Sequence, residues 1–216
     1  MPIKYPELYS PKQQISVIVL LLLFSEFILF SAHSKMASRP GTRNLDVKKI
    51  SCELFSLTYG ALVVQILKDY EDVDKVNSEL DKIGYNIGIR LVEDFLARTN
   101  TGKCHNFRDT ADKLQLGFKL FLNVLPTITG WNATSDEFSL VFDNNPLGEF
   151  VELPDQCSDL VYSNLICGAI RGALEMVHID VNTWFVQDTL KGSNVTELKV
   201  KFVKRIEDAV PPGDED

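Results

Sequence analysis

The chain has 216 residues, 45% of them hydrophobic and 24% charged, which is enough apolar material for a sizeable buried core. Its formal net charge is −8 and it has no Lys/Arg-rich run, so the composition argues against a nucleic-acid-binding protein. The sequence also lacks a phosphate-binding Gly-rich loop, an HExxH motif and a GxSxG motif. We therefore expect one folded domain over residues 36–208, with no enzymatic activity, no metal site and no resident cofactor.

The two ends of the chain differ in composition from the middle. Residues 1–35 form an apolar extension, in which Ile15 to Ala32 is apolar apart from serines and Glu26. The extension is open to three interpretations: an upstream addition from the gene model, a membrane anchor, or a cleaved secretory signal. As a spanning helix it is marginal, because Glu26 near its centre costs about 3 kcal/mol. Residues 209–216 form an acidic tail that we expect to be disordered.

The first two predicted elements are helices with wide apolar surfaces. In the helix that follows Ser51, apolar residues mark two faces, so one face can pack on the core while the other contacts another subunit. The helix from Val73 to Phe95 carries Gly84 and Gly88 on one face, which indicates either tight helix packing or a self-association surface. The residues predicted to contact other subunits are Leu57, Ala61, Val64, Ile83, Ile87 and Leu91.

A third helix is predicted immediately after a cysteine. Asn106 is a plausible N-cap with Asp109 three residues later, and Pro126 prevents the helix from continuing. The chain has four cysteines, with neither CxxC spacing nor the density of a disulfide scaffold, so we expect free thiols. Cys104 lies outside the helical patterns that enclose Cys52 and Cys167.

The local surroundings of Cys104 favour a reactive thiol. Lys103 and Arg108 supply nearby positive charge, and the helix N-terminus favours a negative sulfur. A nucleophilic enzyme would also need a converging base, whereas adjacent His105 is expected to point elsewhere and His178 to be a surface or capping residue. The residues alone therefore leave two interpretations of Cys104: an acylation site or an ordinary loop cysteine.

The rest of the chain alternates between strands and one further helix. Strands are predicted at Glu137–Asp143 and Glu149–Leu153, and a fourth helix at Leu160–Val177. Two more strands are predicted at Val181–Asp188 and Thr196–Ile206, the second with apolar and charged residues in alternation. This order predicts an α+β fold, with a helical layer packed on a mainly antiparallel sheet.

Several blocks of sequence together resemble subunit 3 of the transport protein particle, TRAPP, a complex that tethers vesicles. The resemblance runs from Met36 to about Asp208, and Met36-Ala-Ser-Arg-Pro40 is similar to the ordinary start of family members, which lack a leader. The blocks, in chain order, are Ser51–Leu62, Gly84–Arg98, Thr101–His105, Cys167–Val177 and Phe185–Gly192.

The resemblance implies a TRAPP-subunit-like α+β domain with an internal apolar tunnel. It also implies a fatty acyl group, of palmitoyl type, on Cys104 in the Gly-basic-Cys-His turn. The segment from Ala111 to Pro126 is about one residue shorter than the family pattern, and such a deletion turns later helix positions by about 100°. The residues expected to line the tunnel are Leu114, Gly117, Phe118, Phe121 and Phe138.

The function implied by the resemblance is that of a core scaffold subunit of TRAPP in transport from the endoplasmic reticulum to the Golgi. Its expected partners are a second copy of itself and other TRAPP subunits, with a Rab GTPase reached through the assembled complex. The expected location is the cytosolic face of the cis-Golgi network and endoplasmic reticulum, with peripheral association with Golgi membranes.

Two other functions are consistent with the sequence. A lipid-binding protein would use the same tunnel for an exchangeable ligand. A luminal glycoprotein would require the N-terminal extension to act as a leader and the sequons at Asn132 and Asn194 to be occupied.

Overall fold

The computed structural model describes residues 51–99, 101–102 and 104–207. The predicted N-terminal extension, the acidic tail and Lys103 lie outside the described residues. The helices are α1 (Cys52–Asp69), α2 (Val73–Thr99), α3 (Phe107–Phe121) and α4 (Asn164–Glu175). The strands are β1 (Thr127–Thr129), β2 (Glu137–Phe142), β3 (Ile179–Gln187) and β4 (Thr196–Arg205). Short 3-10 helices lie at Asp155–Cys157 and Thr189–Lys191.

The four strands form one antiparallel sheet in the order β1-β2-β4-β3. Alternate residues of β2 and β4, among them Phe138, Leu140 and Val200, are fully buried, whereas Lys199 and Lys201 alternate with them on the opposite face. One face of the sheet therefore packs against the helices, and the other carries charged residues. The predicted α+β architecture, with helices on an antiparallel sheet, is confirmed.

Helices α2 and α4 approach so closely that their backbones touch. A Cβ atom added to Gly84 would lie 2.0 Å from the Leu165 carbonyl oxygen, and one added to Gly168 would lie 1.9 Å from the Asp81 carbonyl oxygen. Gly88 and Gly172 repeat this arrangement one turn further along both helices, which are parallel. We call these four glycines the glycine contact. Of the two interpretations of Gly84 and Gly88, the structure supports tight packing within the domain.

Side-chain hydrogen bonds place the beginning of α4 on α2. The Asn77 Oδ1 atom accepts a hydrogen bond of 2.8 Å from the Val161 backbone N–H, and the Asn164 side chain donates one of 2.8 Å to the Asn77 carbonyl. Further along, Arg171 forms an ion pair with Asp81. Burial raises the pKa of Asp81, and the Arg171 charge opposes that shift. These contacts set the register of the two helices.

A β-bulge interrupts the pairing of β4 with β3. Val181 pairs with Phe202, but the next pair along is Asp180 with Lys204, so Val203 is the extra residue. Beyond the bulge Arg205 pairs with Ile179, which is buried on the face of the sheet that packs against the helices. Strict alternation from Phe202 would have placed Arg205 on the opposite face.

The strand predicted at Glu149–Leu153 is absent, and that prediction is wrong. The chain there forms turns, in which the Gly148 N–H bonds the Asn145 carbonyl at 3.0 Å and the Val151 N–H bonds the Gly148 carbonyl at 3.2 Å. The buried Asn145 side chain reinforces the first turn by accepting from the Leu147 N–H. The Val151 N–H is thereby paired locally and is not available to a sheet partner.

Candidate functional site

A cavity of about 670 Å³ lies between α2, α3 and α4, close to the Cys104 segment. Its volume is within the range of about 300–1,000 Å³ that is usual for ligand pockets. Leu91 and Phe95 from the C-terminal half of α2 cover one side, beyond the glycine contact. The walls are predominantly aliphatic and aromatic, so the space suits an apolar chain.

Helix α3 supplies one wall of the cavity from a single face. Four residues of α3 line the cavity, although the segment is shorter than the family pattern: Leu114, Gly117, Phe118 and Phe121. Phe118 also packs edge-on against Phe142 of the sheet, with ring centroids 5.1 Å apart, which anchors this face of the helix. The shortening has therefore not rotated these side chains away from the cavity.

The prediction of Phe138 as a lining residue is corrected. Phe138 is fully buried in β2 but is not among the residues that line the cavity. Its ring packs instead against Phe107 and Trp131, at centroid distances of 5.3 and 4.8 Å. Its position on the core face of the sheet was therefore consistent with the strand pattern, but the sequence did not show that another aromatic cluster would enclose it.

Helix α4 supplies a wall that the sequence did not predict. Ala169, Ile170 and Ala173 line the cavity, and Ala169 also approaches Gly88 through its backbone. The small side chains at positions 169 and 173 are four residues apart and therefore share a face. Their spacing was visible in the sequence, but it does not by itself distinguish open space from close packing beside the helix.

Cys104 lies at the cavity and is partly exposed. The segment that follows it is fixed by reciprocal capping: the Asn106 side chain accepts from the Asp109 N–H at 2.8 Å, and the Asp109 carboxylate accepts from the His105 N–H at 3.0 Å. The predicted N-cap at Asn106 is confirmed. The thiol is thereby placed between solvent and an apolar space, and a thioester at Sγ could direct its acyl chain into the cavity.

Arg108 does not serve the role that its sequence position suggested. Its guanidinium lies 5.0 Å from the centroid of the Trp131 ring and donates a hydrogen bond of 3.1 Å to the Ser135 hydroxyl. The side chain is thus directed towards the turn between β1 and β2. Lys103, the other cation predicted to favour a reactive Cys104 thiol, lies outside the described residues.

The other three cysteines have different surroundings. Cys52 is exposed at the start of α1, and Cys157 is partly exposed in a 3-10 helix, and neither is among the residues that line the cavity. Cys167 is buried in α4, and burial raises the pKa of its thiol to about 12, so that it stays protonated at neutral pH. Of the four, Cys104 alone combines partial exposure with access to the cavity.

The residues predicted at a subunit interface divide into two groups. On α1, Leu57 is 66% exposed and Val64 is 51% exposed, and Ala61 is exposed between them. On α2, Ile83 and Ile87 are each only 2% exposed and belong to the core, so the prediction that they contact another subunit is corrected. Leu91 is partly buried and lines the cavity, and its contact with another subunit stays a prediction.

Among the described residues, no helix has the length and apolar character needed to cross a membrane. Within the same ranges, no group of three or more His, Cys, Asp or Glu residues could hold a metal ion.

These features define a class: an α+β domain with an apolar cavity and a cysteine at its opening, suited to holding an acyl chain. The family model described as transport protein particle (TRAPP) component matches residues 55–201. The chain belongs to this TRAPP component family. Curated relatives to which it is similar are named subunit 3 or BET3.

Curated relatives cover most of the chain. The trafficking protein particle complex subunit BET3 of Saccharomyces cerevisiae is 50% identical over 171 residues, which are 78% of this chain and 89% of the relative. Subunit 3 of Dictyostelium discoideum is 50% identical over 169 residues, 77% of this chain and 91% of the relative. A crystal structure of subunit 3 from Naegleria fowleri, covalently bound to palmitic acid, matches with a TM-score of 0.70 and 42% identity, covering 72% of this chain and 97% of that one.

Proposed function

We propose that this protein is a core scaffold subunit of a TRAPP complex and that it carries a palmitoyl group on Cys104. The observation that carries the proposal is the placement of the Cys104 thiol at an apolar cavity of about 670 Å³. The Naegleria fowleri relative, which is covalently bound to palmitic acid, supports the same chemistry. In this role the protein is a structural component of the complex and has no enzymatic activity of its own.

The free energy of acyl burial indicates what the modification is for. Each CH₂ group removed from water contributes about 0.8 kcal/mol, so a palmitoyl chain gains on the order of 10 kcal/mol from an apolar environment. A chain enclosed between α2, α3 and α4 has already gained this energy and has little more to gain from a bilayer. The acyl group therefore stabilises the domain more than it anchors the protein to a membrane.

Intact mass spectrometry tests the acylation directly. We expect the protein purified from its native cell to carry an added mass equal to one palmitoyl group, which neutral hydroxylamine removes because it cleaves thioesters. The Cys104→Ser variant should lack that mass and unfold at a lower temperature, whereas Cys52→Ser should keep it. Equal masses for wild type and Cys104→Ser would refute acylation at this site.

The same measurement separates a covalent acyl group from an exchangeable lipid. A lipid-binding protein would release its ligand into organic solvent without hydroxylamine, and Cys104→Ser would still bind it. Retention of lipid through denaturation and its release by hydroxylamine would exclude that alternative.

The luminal glycoprotein alternative conflicts with the position of Asn132. Its Oδ1 atom accepts hydrogen bonds from the Asp136 N–H at 3.0 Å and the Glu137 N–H at 3.2 Å, and its amide nitrogen donates to the Asp136 carboxylate. These bonds order the turn before β2. A glycan on the same amide nitrogen would leave a single N–H there and would have to fit beside the Asp136 carboxylate, so this sequon is poorly suited to modification in the folded domain.

The exposed apolar face of α1 is the proposed contact surface for a second copy or another TRAPP subunit. Leu57, Ala61 and Val64 lie on this face at three- and four-residue spacing and are exposed. We expect Leu57→Asp to reduce the molar mass measured by light scattering at micromolar concentration. Leu125→Asp is the control, because Leu125 is similarly exposed, at 60%, but lies between α3 and β1. A wild-type protein that is already monomeric would contradict self-association.

Affinity purification from the native cell tests membership of the complex. We expect other TRAPP subunits to co-purify with the protein, and the assembled complex to stimulate nucleotide exchange on a Rab GTPase of the early secretory pathway. The proposed location is the cytosolic face of the cis-Golgi network and endoplasmic reticulum, where the complex associates peripherally with membranes. Recovery of the chain without any other TRAPP subunit would refute the scaffold role.

A further inference from the structure

Two long cationic side chains hold the segment that carries Cys104, one on each side of the cysteine. The Lys113 ammonium group of α3 donates a hydrogen bond to the Gly102 carbonyl. The Arg205 guanidinium, at the end of β4, donates one of 3.4 Å to the His105 carbonyl. Both side chains also line the cavity. The thiol is therefore flanked by one tethered carbonyl before it and another after it.

The bulge in β4 is what directs Arg205 towards this segment. Because Val203 is an extra residue in the pairing, Arg205 lies opposite Ile179 on the helix-covered face of the sheet. The side chains of Arg205 and of the preceding Lys204 are both exposed, but Lys204 pairs with Asp180 and lies on the other face. Bulges often re-aim a side chain next to a functional site. The two neighbouring cations of β4 thus have different surroundings, and only Arg205 reaches the cysteine segment.

Acyl transfer places strict demands on the geometry of this segment. The thiolate of Cys104 must attack the carbonyl carbon of an acyl thioester while the hydrocarbon chain points into the cavity. The bond from Sγ to the acyl carbon then forms and the bond from that carbon to the carrier sulfur breaks. The carrier leaves as a thiolate and takes up the proton that Cys104 has lost. Reacting atoms must be held about 3–3.5 Å apart, so a displaced segment slows the step.

We propose that Lys113 and Arg205 are positioning residues for the acylation of Cys104, which hold the thiol over the cavity while an acyl thioester of a soluble carrier delivers its chain. The inference rests on the proposed acylation of this cysteine. Neither residue exchanges a proton or forms a covalent bond in the step. Each side chain acts by holding a backbone carbonyl near Cys104. Without either side chain, a long acyl chain enters the cavity with the acyl carbonyl next to the Cys104 sulfur less often, so acylation is slower.

The test compares two reactions of the same thiol. Full-length protein is freed of acyl groups with neutral hydroxylamine and then treated either with palmitoyl-coenzyme A or with iodoacetamide. Because Cys52 and Cys157 are also accessible, modification of Cys104 is followed over time by mass spectrometry of the peptide that contains it. Iodoacetamide needs no cavity, so its rate reports thiol reactivity alone. We expect Lys113→Met and Arg205→Met each to slow acylation about tenfold, the scale of one hydrogen bond to a charged group, and to leave alkylation of Cys104 almost unchanged.

Matched controls lie one residue away or on the same helix. Lys204→Met removes the neighbouring cation of β4 on the opposite face, and Lys119→Met removes an exposed cation of α3, and both should acylate at the wild-type rate. The conservative variants Lys113→Arg and Arg205→Lys keep a cationic donor and should recover most of the rate. If a Met variant does not fold, as judged by its thermal midpoint, the Gln variant at that position is used with the same expectation.

Three results would overturn the inference, and they are distinguishable. If wild type takes up no acyl chain from palmitoyl-coenzyme A and carries none when isolated, acylation itself is wrong and the inference falls with it. If wild type is acylated and the Met variants react equally fast, only the positioning role is wrong. If acylation and alkylation slow by the same factor, the two cations act on thiol reactivity and not on placement.

Discussion

Two adjoining surfaces of the α2–α4 pair use the same helices for opposite purposes. At the glycine contact the backbones touch, and there is no space for even a methyl group at Gly84 or Gly168. On an adjoining face, the same helices border a cavity of about 670 Å³. The close contact therefore helps to maintain the open space beside it, because two helices held backbone to backbone cannot shift to fill it.

The largest expected effect comes from disrupting the glycine contact between α2 and α4. In Gly168→Ala, the new Cβ would lie 1.9 Å from the Asp81 carbonyl oxygen and 2.7 Å from the Tyr85 nitrogen, so the helices must move apart. We expect a loss of about 3 kcal/mol or more in the free energy of unfolding. Urea denaturation measures it. Gly102→Ala is the control, because nothing lies within 4 Å of its added Cβ. Equal stability of the two variants would show that the helices are not in close contact.

A smaller effect is expected from a substitution that fills part of the cavity. Leu91→Trp enlarges a residue that lines the cavity and should reduce the fraction of protein that carries an acyl chain, measured by intact mass. Leu57→Trp makes the same change on α1, where the side chain is 66% exposed, and should leave the acylated fraction unchanged. If Leu91→Trp were fully acylated while Leu57→Trp lost the chain, the assignments of cavity and surface would be reversed.

The smallest effect is expected at Gly117, where there is space for a Cβ atom. A Cβ added to Gly117 would approach only the Phe95 ring, at 4.0 Å, so Gly117→Ala should gain helix propensity without a clash. We expect up to about 1 kcal/mol of stabilisation, or a rise of about 2–4 °C in the thermal midpoint. Gly130→Ala should instead be destabilising, since φ is 64° at this residue. A loss of stability in Gly117→Ala would indicate that α3 packs more tightly on α2 than the structure shows.

The sequence predicted the parts of the fold that depend on local signals. Asn106 followed by Asp109 predicted the start of α3, because both side chains satisfy nearby backbone N–H groups. The alternation in β4 predicted which residues face the core, up to Phe202. Beyond that point the bulge at Val203 reverses the order, and a bulge has no mark in a run of apolar and charged residues.

The site was harder to predict than the fold, because the apolar face of a helix does not show which part of the protein covers it. Ile83 and Leu57 are similarly apolar, yet one is in the core and the other is exposed. The difference arises from packing between parts of the chain that are distant in sequence, which the apolar pattern of a single helix does not show. The wall formed by Ala169 and Ala173 was missed for the same reason: small residues indicate close packing or open space equally well until the partner is known.

Helices α2 and α4 are far apart in the sequence, and this affects the order in which the domain folds. Asp81 and Arg171, which join α2 to α4, are separated by 90 residues, and contacts between distant segments form late because a long loop must first close. When Cys104 and α3 leave the ribosome, α4 has not yet been synthesised, so no enclosed space exists for a hydrocarbon chain. An acyl chain attached at that stage would be exposed to water and prone to aggregation. We therefore expect acylation to follow the completion of the domain, which a pulse-chase experiment with labelled palmitate would show as a lag after synthesis.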